Sequence, residues 1–361
     1  MRIGIDSREL EGNPTGVGRY LEGLLKNWAS LNIEFFLFFR NEIPELKFLD
    51  SPNFEKILVK KKTKNWVWEQ VGILNIINKL NLDLYFSPSY SIPLLTSVPT
   101  AFALHDLSFE YNRKWFNKKE GFKRRFLAKY SSKKAKTIFT GTDFIKNEII
   151  KHYKTEEKKI RVIPYGVKPI FHFKEYIDLE KGKGKTILTV GALFQRRNIP
   201  LLLKSFRKII EKNPDVTLKI IGENRTFPKI DFKRICEDLG IEKKVYFIEY
   251  LQDEDLVKQY YTSDLFVSLS EYEGFGFPVL EALACGLPAL LYKNLCYLEI
   301  FKDVAFFVEK MNPSEISSQI LEILNMKLGT ERRKEIAEYT KGFSWENTAR
   351  KTISSLLELI N

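Results

Sequence analysis

The residue types and spacing best suited to chemistry lie in the run Ser268-Leu269-Ser270-Glu271-Tyr272-Glu273-Gly274-Phe275-Gly276-Phe277-Pro278-Val279-Leu280-Glu281, which sets two carboxylates, Glu273 and Glu281, around a glycine-rich turn. Its pattern predicts a strand over Leu265–Leu269, a loop, then a helix. Gly274 and Gly276 free the backbone on either side of Phe275, and Pro278 suits a first helical position. N–H groups at such a helix start favour a diphosphate. Glu273 in the loop and Glu281 in the first helical turns can both reach a strand's carboxyl end, where open α/β sheets bind ligands. One carboxylate there can accept hydrogen bonds from ribose hydroxyls and the other from a second sugar. The helix macrodipole alone would also favour a Glu at this place. Arg196 and Arg197 precede another helix, where guanidinium groups can clamp a diphosphate bidentately or simply sit in solvent. His105 follows the apolar run Ala101–Leu104, again at a strand end, where a purely structural histidine is the plain alternative. Gly16 and Gly18 open a helix. Their spacing is no dinucleotide fingerprint, because Leu21 stands where the third glycine belongs.

These residues need a scaffold of strands whose carboxyl ends converge. The 361 residues correspond to about two domains. In residues 1–170, short strands near Arg2–Ile5, Ile33–Phe39, Leu82–Phe86, Thr100–Leu104 and Thr137–Thr140 alternate with helices, one of them around Tyr20–Leu31. A polar stretch, Glu180-Lys181-Gly182-Lys183-Gly184-Lys185, reads as a joint. The pattern then restarts with strands Thr186–Val190, Thr217–Ile221, Lys244–Phe247 and Leu265–Leu269, and a helix over Ile199–Lys212. Such alternation predicts two doubly wound parallel sheets. The amphipathic end, Ser344–Ile360, could pack anywhere on periodicity alone.

Charge separates the halves. Residues 1–170 hold 30 Lys and Arg against 18 Asp and Glu, so they carry the whole net charge of +12, whereas residues 171–361 balance at 28 each. An excess of this kind predicts an anionic partner. Its source is Arg113 to Lys136, with eleven basic residues, one acid (Glu120), and Trp115, Phe116, Phe122 and Phe126 interleaved. Lys123, Arg124 and Arg125 between Phe122 and Phe126 make a basic amphipathic helix suited to an anionic leaflet. Lys60-Lys61-Lys62 with Trp66 and Trp68 could extend it. The alternative buries the aromatic rings and leaves the charges in water. Nucleic acid is not expected, as no recognisable motif accompanies the charge. His105, His152 and His172 with Cys236, Cys285 and Cys296 form no close cluster, so neither a zinc site nor a disulfide framework is expected. No apolar run approaches the ~18 residues of a membrane span, and Asp6 interrupts what a signal peptide would keep apolar. A cytoplasmic protein, peripheral on the inner face of a membrane, is the expectation.

The spacing Glu273-x7-Glu281 resembles the E-x7-E motif of retaining glycosyltransferases of family 4. Around it, in order, Thr15-Gly16-Val17-Gly18-Arg19-Tyr20 resembles that family's glycine loop and His105-Asp106-Leu107 its His-Asp. Val162-Ile163-Pro164-Tyr165-Gly166-Val167 resembles the end of its first domain, and Val190 to Asn198 its basic donor loop. Gly286-Leu287-Pro288, Glu299 and Phe343-Ser344-Trp345-Glu346 follow. The chain departs from the family at Arg197, where Lys is usual, and at Ala192, where Arg is frequent. The resemblance implies the GT-B fold, an α/β architecture of two Rossmann-like doubly wound domains facing a central cleft. It implies an acceptor domain over 1–170, a nucleotide-sugar donor domain over 171–342, and a helix over 343–361 crossing back to the first. It further implies transfer of a hexose, mannose from GDP-mannose above UDP-linked sugars, to a saccharide acceptor, lipid-linked, in surface polysaccharide or lipopolysaccharide synthesis. His105 and Glu273 are then catalytic, and Gly16, Gly18, Arg196, Arg197, Gly274, Phe275, Gly276 and Glu281 bind the donor. Lys123, Arg124 and Arg125 form the membrane or acceptor surface. No cofactor is implied beyond the nucleotide sugar, and arginine and amide dipoles take the place of a metal. Retention would follow from same-face attack. A glycan phosphorylase, a nucleotide-sugar epimerase and a non-enzymatic basic adaptor are the alternatives.

Overall fold

The computed structural model describes every residue except 13, 15, 60–64, 176–183, 327 and 361. Thr15, the Lys60–Lys62 run and residues 180–183 of the expected joint therefore lie outside the described residues. The chain forms two compact units. The first comprises Met1–Tyr111, Lys118–Gly166 and Phe343–Asn361, the second Asn112–Asn117 and Val167–Gly342. The first thus ends at Gly166 rather than at 170, and the short Asn112–Asn117 segment groups with the second.

The first unit is built on seven strands: β1 (Arg2–Asp6), β2 (Glu34–Phe39), β3 (Phe54–Leu58), β4 (Leu84–Ser87), β5 (Thr100–Ala103), β6 (Thr137–Thr140) and β7 (Ile160–Val162). Their order is β3-β2-β1-β4-β5-β6-β7, every pair parallel. Apolar side chains fill both faces. In β2, Phe35, Phe36, Leu37, Phe38 and Phe39 are all buried, as a strand covered by helices on both sides requires. Ile3 pairs with Phe35 on one side and Leu84 on the other. The order reverses direction between β1 and β4, and ligands of open α/β sheets bind outside the carboxyl ends at such a switch point.

The second unit repeats the plan with β8 (Thr186–Val190), β9 (Thr217–Ile221), β10 (Val245–Ile248), β11 (Leu265–Ser268), β12 (Ala289–Tyr292) and β13 (Phe306–Val308). The order is β10-β9-β8-β11-β12-β13, again all parallel. Its switch point falls between β8 and β11. Helices Ile199–Lys212 and Pro313–Asn325 seal one face through Leu202, Phe206, Ile209, Ile316 and Ile320.

Two differences from the sequence reading matter for the site. The first long helix is Gly16–Trp28, not Tyr20–Leu31, so Gly16 and Gly18 occupy its first turn. The terminal helix, Trp345–Leu357, belongs to the first unit and lies along Gly16–Trp28. Trp28 Nε1 donates to the Ala349 carbonyl at 3.1 Å and Thr348 Oγ1 to the Pro164 carbonyl at 2.7 Å.

Candidate functional site

In the second unit the loops after β8 and β11 meet at the switch point. Arg197 follows β8, and its Nη1 donates to the Val190 carbonyl at 2.8 Å. Its Nη2 stands 3.4 Å from Glu273 Oε1. Gly191 makes this possible: at φ +117° it adopts a backbone that side chains avoid, and a Cβ there would meet Arg197 Nη2 at 2.7 Å. Glu273 is 8% exposed, and its Oε1 accepts no hydrogen bond. A buried carboxylate oxygen left without a donor is rare in folded proteins and points to a ligand group. The two loops are tied by Asn198, whose Nδ2 donates to the Leu269 carbonyl at 3.1 Å and to Glu271 Oε1 at 2.9 Å. Glu271 N also donates to the Arg196 carbonyl at 2.9 Å. Arg196 itself is buried, with its guanidinium 4.4 Å from the Phe194 ring centroid.

The helix after β11 is Phe277–Ala284, entered through Gly276 at φ +101°. A Cβ on Gly276 would lie 2.8 Å from the Tyr297 ring, so glycine is required by packing as well as by conformation. The Val279 and Leu280 N–H groups both donate to the Gly276 carbonyl, and Pro278 has none. Neither of these amides, nor Pro278, is therefore open to a phosphate. Glu281 is 3% exposed and accepts a 2.8 Å hydrogen bond from the Tyr260 hydroxyl. Phe275 is buried beside Phe277, ring centroids 5.5 Å apart. A separate hollow of about 230 Å³, bordered by Gln195, Lys204 and Thr226, includes neither carboxylate of the pair.

In the first unit His105 follows β5. Its Nε2 lies 2.7 Å from the Pro88 carbonyl and its Nδ1 2.7 Å from the Tyr165 hydroxyl. A carbonyl can only accept, so Nε2 carries the proton and Nδ1 accepts from Tyr165. Burial lowers the imidazole to about 4, against the Pro88 hydrogen bond and the charge of Asp106. The ring is thus neutral, and both nitrogens are engaged. Gly18 packs on the chain itself, since a Cβ there would sit 2.3 Å from the Glu9 carbonyl, whereas among the described residues a Cβ on Gly16 would meet nothing within 4 Å.

Two matched families divide the chain between them. Residues 14–170 match Glycosyltransferase Family 4, and residues 173–343 match Glycosyl transferases group 1. The chain belongs to the group 1 and family 4 glycosyltransferases. Among its relatives is an uncharacterized glycosyltransferase of Methanocaldococcus jannaschii, 27% identical over 60% of this chain and 58% of its own length. The chain thus spans little more than half of that relative. O-antigen chain mannosyltransferase B of Escherichia coli is 24% identical over 94% of this chain and 95% of its own. The crystal structure of Anabaena HepE in complex with UDP and glucose superimposes with a TM-score of 0.76, at 14% identity over 99% of this chain and 100% of that one. That likeness shows the two Rossmann-like sheets of the GT-B fold.

Within this glycosyltransferase the basic residues picked out near Phe122 share a helix with exposed rings. On helix Lys118–Lys134, Arg124 pairs with Glu120 at 2.6 Å, and Arg125 is turned to the Phe109 carbonyl at 3.3 Å. Lys123, Arg124 and Arg125 are half-buried, whereas Phe122, Phe126 and Tyr130 are 66%, 43% and 50% exposed. The aromatic rings, not the three cations, form the outer row. The chain's one Asp-x-Asp spacing, Asp253-Glu254-Asp255, opens helix Asp253–Thr262. There Asp253 pairs with Lys168 and Asp255 with Lys258, each at 2.8 Å. Among the described residues no group of three or more His, Cys, Asp or Glu is arranged to hold a metal, and no helix is long and apolar enough to cross a membrane. Asn198, Tyr260 and Tyr297 in the second unit and Tyr165 in the first carry supporting contacts, a role the sequence did not assign them. Their partners lie tens of positions away, so no local spacing announces them.

Proposed function

We propose that this glycosyltransferase moves a hexose, with retention, from a nucleotide-diphosphate sugar to a saccharide acceptor carried on a lipid. The observation that carries the reading is Glu273: a buried carboxylate with an oxygen lacking a donor, beside Arg197, at the switch point of the second sheet. A sugar hydroxyl would supply that donor. Glu281, oriented by Tyr260, takes the ribose. Breaking the glycosidic bond leaves negative charge on the diphosphate. Arg197, already fixed in place by the Val190 carbonyl, favours that charge in the transition state more than in the ground state. Arg196, stacked on Phe194, acts from behind the loop. No metal is needed in this scheme. His105, neutral and held on both sides, serves as a fixed wall of the first unit rather than a proton carrier.

GDP-mannose is the donor we favour, because relatives include two O-antigen mannosyltransferases. A UDP-linked sugar is the second reading, supported by the UDP and glucose in the HepE structure. The exposed ring row of helix Lys118–Lys134 suits a surface where a lipid-linked acceptor of a polysaccharide pathway would be presented.

Titrating the protein with GDP and UDP separates the donors: tighter GDP binding is expected, and tighter UDP binding overturns the mannose assignment. Glu281→Ala should weaken the preferred nucleotide ~10–100-fold through loss of charge-assisted hydrogen bonds. His105→Ala should lower turnover with nucleotide affinity kept. Free nucleotide should appear only when an acceptor is present, which separates transfer from an epimerase, which keeps the nucleotide on its sugar, and from a phosphorylase, which uses none.

A further inference from the structure

A second charged cluster lies at the switch point of the first sheet, and the scheme above gives it no task. Asp6 ends β1 and is fully buried, Glu69 is 2% exposed, and between them runs Arg8. Arg8 Nη2 is 3.0 Å from Asp6 Oδ2 and 2.8 Å from Glu69 Oε2. Its guanidinium lies 5.2 Å from the Trp68 ring centroid. Glu69 is fixed in turn by the Ser91 hydroxyl at 2.9 Å and Gln70 Nε2 at 3.2 Å, and it sits in a π-helical stretch, Trp68–Ile73. Such widened turns are frequent where a helix is shaped for a function. The groups facing Asp6 are Arg8, Glu69 and Glu9, with the Tyr85 hydroxyl close enough to feel its charge.

Arg8 also begins the turn Arg8–Leu10 that leads to Gly16–Trp28. The next residue, Glu9, presses its carbonyl against Gly18. Arg8 thus adjoins the residue on which the first turn of that helix rests. Two carboxylates and one guanidinium carry a net negative charge unless one carboxyl keeps a proton, and an uncompensated charge is costly in a buried site.

We propose that the Asp6–Arg8–Glu69 fork is a proton-dependent strut in which Arg8 is a positioning residue that fixes the turn Arg8–Leu10 and, through Glu9 against Gly18, the start of helix Gly16–Trp28. Burial, ahead of the opposing pull of Arg8, pushes the Asp6 carboxyl up to about 7, so Asp6 is the arm that holds the proton. Losing it adds a buried negative charge and loosens the turn. The strut thus fails on the alkaline side. The role in turnover rests on the transfer reading above; the stability of the fork does not.

Three variants test this in the full chain. In Asp6→Asn the neutral arm is permanent, and in Glu69→Gln a single carboxylate faces Arg8 with no proton needed. Wild type loses stability as pH rises from 4 through 7, because the unfolded acid is already ionised there. The melting temperature of Asp6→Asn should therefore gain on wild type by at least ~4 °C between pH 5 and pH 8. Both variants should flatten the alkaline fall of kcat. Arg8→Gln should cut kcat at least ~10-fold, the equivalent of ~1.4 kcal/mol, with nucleotide affinity within twofold of wild type. A melting gap that stays constant with pH, or an alkaline limb unchanged in both carboxyl variants, overturns the proposal. If wild type transfers no sugar from either donor, the functional reading fails and the melting comparison alone decides the fork.

Discussion

At the scale of single residues, the second unit's site rests on carboxylates whose orientation is set by neighbours remote in sequence. Glu281 is a case in point. Its carboxylate is buried, and the Tyr260 hydroxyl from helix Asp253–Thr262 donates to one oxygen. A buried acid oriented by a hydroxyl is already ordered, which lowers the cost of fixing it when ribose arrives. Tyr260→Phe removes that donor and nothing else of size. We expect nucleotide affinity to fall ~3–10-fold and stability by ~1.5–3 kcal/mol, the range for a hydrogen bond to a charged group. Kcat at saturating donor should be nearly unchanged, since Tyr260 bears on Glu281 and not on the bond being broken. Calorimetric titration beside steady-state kinetics would check it, and a loss confined to kcat would place Glu281 at the reaction centre instead of on the ribose. His105 shows the converse. The sequence marks it by its place after an apolar strand, yet the clamp between Pro88 and Tyr165 that makes it neutral is invisible there, because Tyr165 lies sixty residues downstream.

At the scale of elements, the strands were the most legible part of the chain. Thr137–Thr140, Thr186–Val190 and Thr217–Ile221 are read from sequence with the bounds the structure gives them, as is helix Ile199–Lys212. Short β-branched or aromatic runs buried on both faces leave little ambiguity. Helix starts were less legible. Gly16 and Gly18 weigh against a helix on propensity, yet the helix begins at Gly16, and the Glu9 carbonyl pressed against Gly18 is the packing that calls for glycine there. The aromatic row of Lys118–Lys134 could not be assigned to core or solvent from spacing alone, as either fate satisfies an i, i+4 pattern. The terminal helix could be placed only by family resemblance, and the structure shows the physical reason for its seat. A Cβ on Gly23 would fall 2.3 Å from the Trp345 ring, and one on Gly166 2.2 Å from the Trp345 backbone nitrogen. Both glycines exist to receive Trp345, which stacks on Tyr165 at 6.4 Å between centroids. Gly23→Ala should cost ~1–3 kcal/mol by overpacking. Gly166→Ala should cost more, because a backbone atom cannot rotate away as a ring can. Thermal melts of the two variants give the order, and equal Tm values would show that the Trp345 seat is soft.

At the scale of the whole molecule, the uneven charge is the feature that neither sheet explains. The excess of +12 in residues 1–170 has no counterpart in the balanced remainder, and net charge of this kind governs association rather than fold. Helix Lys118–Lys134 couples that charge to exposed rings. Phe126 lies 6.5 Å from Phe122 and 4.5 Å from Tyr130 between centroids, with Lys129 and Lys133 exposed beside them. Rings on one stripe with cations alongside give two separable contributions at an anionic bilayer. Each lysine near the surface contributes ~1 kcal/mol and is screened by salt, while each buried phenylalanine contributes ~1.5–3 kcal/mol and is not. Neutralising Arg124 or Arg125 is a poor probe, since Arg124 is paired within the helix and Arg125 is turned to the Phe109 carbonyl. The informative variants are Lys129→Gln with Lys133→Gln and, separately, Phe122→Ser with Phe126→Ser. In vesicle sedimentation the lysine pair should weaken binding to anionic vesicles ~30-fold at low salt, with the loss shrinking as salt rises. The phenylalanine pair should weaken it by more, at every salt concentration. Wild type that fails to sediment with anionic vesicles would remove the membrane from the account and leave the charge to a soluble anionic acceptor, whereas equal binding to neutral and anionic vesicles would remove the lysine contribution alone.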